Sequence, residues 1–320
     1  MNYFRSILED YMKLLPSTVI NFHTIYDSVW MDDILYLLKR TYNLISLPEL
    51  MSYYYEGSKF NNACHLTFDD GEKGFFDIVF PLLVKHDIKV SLFVSPKVVK
   101  ERSNFWFQEI RGYNKNDLIN IVEKRFNLSV PCRDSISIDA VLKSLPLQSI
   151  LAVIDQYRRE TNTTAKPPLN MCVEQLKELD ASGFVTIGSH TLNHPILKNE
   201  SDEVSKAEIK ESIEELSDLL KKKVICFAYP NGIPDLDFNH REINYLQHSG
   251  IKIAFSAKNR TITKNDNPLN IPRNSIHHGS SRIFVLIKLI SGRRWIAIRR
   301  FLLGKQEEEF RQVMSDLLNQ

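Results

Sequence analysis

The chain has 320 residues, of which 43% are hydrophobic and 25% charged, and a net charge of +2. That length suits one large α/β domain or two small ones, and the composition is that of an ordinary globular protein. The small net charge excludes a chain built as a whole to bind nucleic acid or another polyanion. No stretch of about 18 uncharged apolar residues could span a membrane.

The first ten residues already include Glu9 and Asp10, and no apolar run of secretory length follows them. The expectation is a cytoplasmic protein without a signal peptide. Four separated cysteines (Cys64, Cys132, Cys172 and Cys226) form no C-x-x-C pair and read as small apolar residues rather than zinc ligands.

Along the chain, short β-rich runs alternate with helical patterns. A strand is expected at 17–23 and a helix at 32–42; a strand at 64–69 then runs into Asp69-Asp70-Gly71. A helix at 75–85 and a strand at 89–94 follow. The stretch 99–168 breaks the alternation: it is aromatic at Phe105-Trp106-Phe107, helical near 117–126 and 147–160, and closed by Pro167-Pro168. It reads as an insertion on the rim of a barrel.

Strands resume at 185–189, 224–229 and 251–256. Between the first two lies a helix at 202–220 with Val204, Ile209, Ile213, Leu216 and Leu220 on one face. Such alternation means βαβ units and a parallel sheet. Six or seven repeats suit a closed or nearly closed barrel, with an open doubly wound sheet as the second choice. No glycine-rich fingerprint for a nucleotide phosphate occurs.

In parallel α/β folds, functional groups collect at the C-terminal ends of strands. Three such ends carry unusual residues. Thr67-Phe68-Asp69-Asp70-Gly71 offers two adjacent carboxylates, one of which can bind a metal while the other acts as a base; alone, Asp-Gly is a common turn. Ser189-His190-Thr191-Leu192-Asn193-His194 spaces two imidazoles so that one helical turn would aim both at a single ion. Phe227-Ala228-Tyr229-Pro230-Asn231-Gly232 is a turn that can present an N–H to an oxyanion. Together they supply one carboxylate, two histidines and a spare carboxylate. A two-histidine, one-carboxylate iron oxygenase would use the same ligands, but it leaves the spare carboxylate idle and sits on a different fold.

These three segments resemble the first three motifs of the polysaccharide deacetylases, the NodB-homology group, over about residues 18–277. The later Gly250-Ile251-Lys252-Ile253-Ala254-Phe255 and Asn267-Pro268-Leu269-Asn270-Ile271-Pro272-Arg273 are similar to members that act in exopolysaccharide or surface-glycan pathways. The resemblance implies a distorted, incomplete (β/α) barrel, taken as 1–280; the insertion at about 99–168 and a helical extension over 281–320 are read from the residues themselves. It implies one divalent ion, zinc first, with cobalt, manganese or nickel as alternatives. It further implies an amidase that removes an acetyl group from an amino sugar in a polysaccharide or lipid-linked precursor. Asp69 would be the base, Asp70, His190 and His194 the metal ligands, and Asn231 an oxyanion donor.

Two departures follow. The arginine that orients the base in the third motif is replaced by Ala228, and Arg273 is the candidate substitute. The acid of the last motif has only a loose match in Ser275-Ile276-His277-His278, where His277 is preferred. These departures keep an inactive glycan-binding protein as the alternative. Tyr229 and Trp106 are further candidates near the substrate, Trp106 either as a stacking surface for a sugar ring or as core packing of the insertion, and His23 reads either as a residue near the metal or as a packed histidine.

Residues 282–305 hold Arg282, Lys288, Arg293, Arg294, Arg299, Arg300 and Lys305 among apolar residues, with no acid. That composition suits either terminal helices packed on the barrel with a basic outer face or peripheral contact with an anionic membrane, expected on its inner face.

Overall fold

The computed structural model describes residues 15–291 and 306–318. The strands are β1 (Thr18–Phe22), β2 (Asn43–Leu44), β3 (Ala63–Phe68), β4 (Val90–Val94), β5 (Val185–Ser189), β6 (Cys226–Ala228), β7 (Ile253–Phe255) and β8 (Asn274–Ser275). All pair in parallel, in the order β7-β6-β5-β4-β3-β1-β8, with β2 beside β3. β1, β3 and β4 are buried at every position. A parallel strand covered on both faces reads as such an unbroken apolar run.

One short stretch joins the two ends of the sheet. Ile271 bridges to Phe255 of β7, and Asn274 and Ser275, three and four residues on, pair with Ile20 and Asn21 of β1. The Ile276 N–H continues the ladder onto the Asn21 carbonyl at 2.9 Å. The sheet therefore curls into a distorted (β/α) barrel with thin seams. Its interior is tightly filled. A Cβ on Gly188 of β5 would lie 2.5 Å from the Phe93 ring and 2.7 Å from the Cys226 sulfur, so only glycine fits there.

Outside the strands run α1 (Ser28–Thr41), α2 (Leu47–Tyr55), α3 (Phe80–His86), α9 (Val173–Ala181), α10 (Asp202–Leu220) and α11 (His240–His248). α1 starts before its expected position because Asp27 caps it, accepting from the Val29 and Trp30 N–H groups at 2.9 and 3.0 Å. α2 was not expected from periodicity. Its local signal is a capping box, in which Glu49 accepts from the Ser46 N–H at 2.7 Å.

The insertion holds α4 (Pro96–Glu101), α5 (Trp106–Glu109), α6 (Lys115–Phe126), α7 (Ile138–Leu142) and α8 (Leu147–Thr161). It has a hydrophobic core of its own, built on Leu118, Val122, Leu142, Ile150 and Val153. The C-terminal extension divides between the two cores. Val285 and Leu289 of α12 (Arg282–Ser291) join the barrel core, whereas Phe310 and Met314 of α13 (Gln306–Leu318) join that of the insertion. Residues 292–305, which hold most of the basic tail, lie outside the described residues. Among the described residues no helix is long and apolar enough to cross a membrane.

Candidate metal centre and catalytic site

The C-terminal ends of β1, β3, β5 and β6 converge on one cavity of about 200 Å³, lined among others by His23, Asp70, Trp106, Phe107, His194 and Asn231. Asp70 follows β3 in the left-handed backbone region, at φ 75°. Thr191 (φ 63°), His194 (φ 61°) and Asn231 (φ 55°) repeat this in the other two turns. Such residues cost of order 1–2 kcal/mol each, and they persist only where the surrounding structure dictates them.

Asp70, His190 and His194 form the one cluster of metal-ligand type among the described residues, their ligand atoms lying within 4.8 Å of one another. The Nε2 atoms of His190 and His194 lie 3.7 and 3.5 Å from Asp70 Oδ1, beyond hydrogen-bond reach. Asp70 Oδ1 is buried with no hydrogen-bond partner. Two ligands each about 2.1 Å from a tetrahedral ion are themselves about 3.4 Å apart, so the three residues fit a divalent cation. His190 Nδ1 lies 2.7 Å from the Ala228 carbonyl, which puts the proton on Nδ1 and leaves Nε2 free as a ligand. Burial holds the His190 pKa down to about 4 and that of His194 well below the usual imidazole value, so both rings are neutral.

Asp69 meets the same burial with a different partner. Arg273 Nη1 and Nη2 each lie 2.8 Å from one Asp69 oxygen, a two-pronged pairing of guanidinium and carboxylate. Asn21 Nδ2 donates to Asp69 Oδ2 at 3.1 Å. Arg273 is itself fully buried, between the Phe93 and Phe255 rings, each centred 5.8 Å away. Burial alone would raise the Asp69 pKa, but Arg273 and His190 outweigh it and hold this carboxyl well below the usual range. Asp70 lacks a guanidinium, and burial together with the Asp69 charge pushes its pKa well up.

The remaining candidates separate. Asn231 lines the cavity with a buried, unpartnered Nδ2. Tyr229 does not reach it: its hydroxyl donates to the Leu269 carbonyl at 2.8 Å and its ring stacks on Phe238 at 3.6 Å, so it serves the core. Trp106 is buried in the core of the insertion and cannot offer a face for a sugar; what remains at the cavity is a buried Nε1 with no partner. His277 is exposed in the loop after β8 and is not among the cavity-lining residues. His23 is among them, half-exposed, with Nε2 3.8 Å from Asp69 Oδ2.

Glu208 was not among the candidates. It projects from α10, buried, and accepts from the Leu192 and Asn193 N–H groups at 3.0 and 2.9 Å and from Asn193 Nδ2 at 2.7 Å. It thereby fixes the turn between His190 and His194. Its sequence signal was a carboxylate beside Ile209, at the edge of the apolar face of the helix.

Residues 131–254 match the family model described as polysaccharide deacetylase. No curated protein matches the chain. Among solved structures, IcaB from Ammonifex degensii superposes with a TM-score of 0.58 at 16% identity, over 86% of this chain and 97% of its own. The Streptococcus pyogenes deacetylase PplD, solved with acetate, gives 0.55 at 17% identity over the same shares. A de-N-acetylase from Aggregatibacter actinomycetemcomitans gives 0.55 at 14% identity, over 85% of this chain and 99% of its own. At such identities the likeness is one of fold.

Proposed function

We propose that the chain is a metal-dependent amidase that removes an N-acyl group, acetyl first, from an amino sugar of a glycan or glycan precursor. The observation that carries this reading is the Asp70–His190–His194 cluster, with Asp70 Oδ1 buried and without a hydrogen-bond partner, next to a carboxylate that Arg273 keeps ionised. The family match and the shared fold support it.

A divalent ion held by the three ligands, zinc first, would polarise the amide carbonyl and acidify a water, which lets a base of low proton affinity suffice. Asp69 takes one proton from the attacking water, and Arg273 and Asn21 fix the direction from which it does so. Asn231 donates to the oxygen that gains charge as the carbonyl carbon becomes tetrahedral. The C–N bond then breaks, and the amine nitrogen must receive a proton. His23 is the better-placed donor because it lines the cavity and His277 does not. The alternative of an inactive glycan-binding protein leaned on the missing motif arginine and on the unassigned acid; Arg273 stands beside Asp69, and the acid is what the His23 and His277 variants test.

Acetate release tests the reading on N-acetylglucosamine oligomers, nucleotide-linked amino sugars and lipid-linked amino sugars. The zinc-loaded protein is expected to release acetate from at least one of them. Asp69→Asn should keep the metal and lose about 10²-fold or more in rate. His23→Gln should slow release more than His277→Gln does. A fully active Asp69→Asn overturns the base assignment, and metal-loaded protein silent on all substrates overturns the hydrolase.

A further inference from the structure

The insertion forms one wall of the cavity, and the amidase reading gives that wall no task. Trp106, Phe107 and Asp139 line the cavity, and all three come from the insertion rather than from the barrel. The wall is fixed against the Asp70–His190–His194 cluster. Phe105 and Phe107, on either side of Trp106, centre their rings 5.2 and 5.0 Å from that of His194. Gln108 donates to Glu72 at 3.0 Å and to Asn170 at 2.9 Å, and Glu72 follows Asp70 by two residues. Gln108 is fully buried and accepts from the Phe105 N–H at 2.9 Å, so α5 starts where this clamp sets it.

That setting leaves Trp106 with an unmet donor. Its side chain is buried, and its Nε1 has no hydrogen-bond partner. An indole N–H can only donate, and a buried one ordinarily finds an acceptor. Leaving it unmet is unfavourable, so whatever brings an oxygen to it gains that free energy back. The barrel side of the same cavity holds a second such group, the buried Asn231 Nδ2. Two unmet donors on two walls call for a ligand with at least two acceptor oxygens. The carbonyl of an N-acyl group supplies one of them, and a hydroxyl on the ring that bears it supplies another.

Asp139 adds the opposite polarity. It lies exposed in the first turn of α7, and Lys143, one turn on, pairs with Glu307 of α13 at 3.2 Å instead of with it. A hydroxyl both donates and accepts. A group that only donates and a carboxylate that only accepts, lining one cavity, therefore suit a ring with several hydroxyls, whereas an alkyl chain satisfies neither.

We propose that the insertion reads the sugar. Trp106 Nε1 donates to a hydroxyl of the ring whose amide lies at Asp70, His190 and His194, and Asp139 accepts from another hydroxyl. Placing the amide at that cluster rests on the amidase reading. The wall then selects a hydroxyl-bearing ring over a simple N-acyl amine, and Trp106 acts through its edge, not through its face.

The test is calorimetric binding to zinc-loaded Asp69→Asn protein, which does not depend on turnover. The probes are the methyl glycoside of N-acetylglucosamine and its 3-, 4- and 6-deoxy forms. Trp106→Phe keeps an aromatic ring and removes the N–H, and it should weaken binding of the parent sugar about tenfold. One deoxy sugar should bind about tenfold more weakly than the parent when Trp106 is present, and as well as the parent to Trp106→Phe. A change that only loosened the core would lower affinity for all four sugars alike. Asp139→Ala, at an exposed position, should weaken binding about threefold or more with the melting temperature unchanged. Parent binding unchanged in Trp106→Phe, equal losses on all four sugars, or a protein that binds none of them overturns the proposal. Unchanged binding in Asp139→Ala overturns the part given to Asp139. Acetate release by the unmodified protein reports separately on the amidase reading. Release without coupling between Trp106 and any hydroxyl overturns this inference alone, and coupled binding without release from any substrate overturns the amidase alone.

Discussion

Asp69 and Asp70 are adjacent and equally buried, yet their carboxyls are pulled in opposite directions because one faces a guanidinium and the other does not. Replacing Arg273 tests that account. Arg273→Met leaves Asp69 in the barrel without a counter-charge, so its pKa should rise by about 1–3 units. The proposed base works only when ionised. The acidic limb of the pH–rate profile should therefore move to higher pH by a similar amount, so that activity fails sooner as pH falls. An uncompensated buried charge should also lower stability by about 3–5 kcal/mol, read by denaturant unfolding. Arg273→Lys keeps the charge but loses the paired contacts, and it should recover stability better than rate. A pH–rate profile unchanged in Arg273→Met would show that Asp69 is not the titrating base. The position of Arg273 was legible in the sequence, since it closes an apolar stretch at the end of the barrel pattern. The fates of Tyr229 and Trp106 were not, because a strand-end motif gives the place of a residue and not which way its side chain packs.

At the scale of elements, the turn after β5 that carries His190 and His194 is held from behind by α10. Glu208 takes three hydrogen bonds from Leu192 and Asn193, two of them from backbone N–H groups of the turn. Burial pushes its pKa up, and these donors oppose the shift. Glu208→Ala should cost about 2–3 kcal/mol of stability through unsatisfied buried donors. It should also weaken zinc binding about tenfold or more, because the histidines lose their fixed orientation. Titration with a competing chelator measures the second effect, and unchanged zinc affinity would assign Glu208 to folding alone. Periodicity revealed α10 over its full length, 202–220, because Ile209, Ile213, Leu216 and Leu220 share one face; Val204, expected on that face, is 44% exposed and lies on the other side of the helix. The same pattern hid Glu208, since a carboxylate at the edge of an apolar stripe looks like the start of the solvent face. β2 and β8 were missed for another reason: each is two residues long, too short for any period to show.

Across the whole molecule, α13 ties the insertion to the turn after β6 that carries Asn231. Phe310 and Met314 complete the core of the insertion, and Arg311, from the same turns of α13, reaches Asp237 at 2.8 Å. Asp237 is fully buried, and its other oxygen accepts from the Ile233 N–H at 2.8 Å, two residues beyond Asn231. Composition pointed to a terminal helix, but which core it would serve depends on contacts between residues more than a hundred positions apart, and no local pattern carries those. Arg311→Met should leave the Asp237 charge buried and unpaired, at a cost of about 3–5 kcal/mol. Asp237→Asn in the same chain removes that charge and should restore much of the loss, so the two changes should be strongly non-additive. If the Ile233 contact transmits the disturbance to Asn231, Arg311→Met should also lower kcat with little change in KM, the expected signature of a lost oxyanion donor. Additive stability effects in the double-mutant cycle would show that the pair is incidental. A non-additive cycle with unchanged kcat would confine α13 to holding the insertion in place.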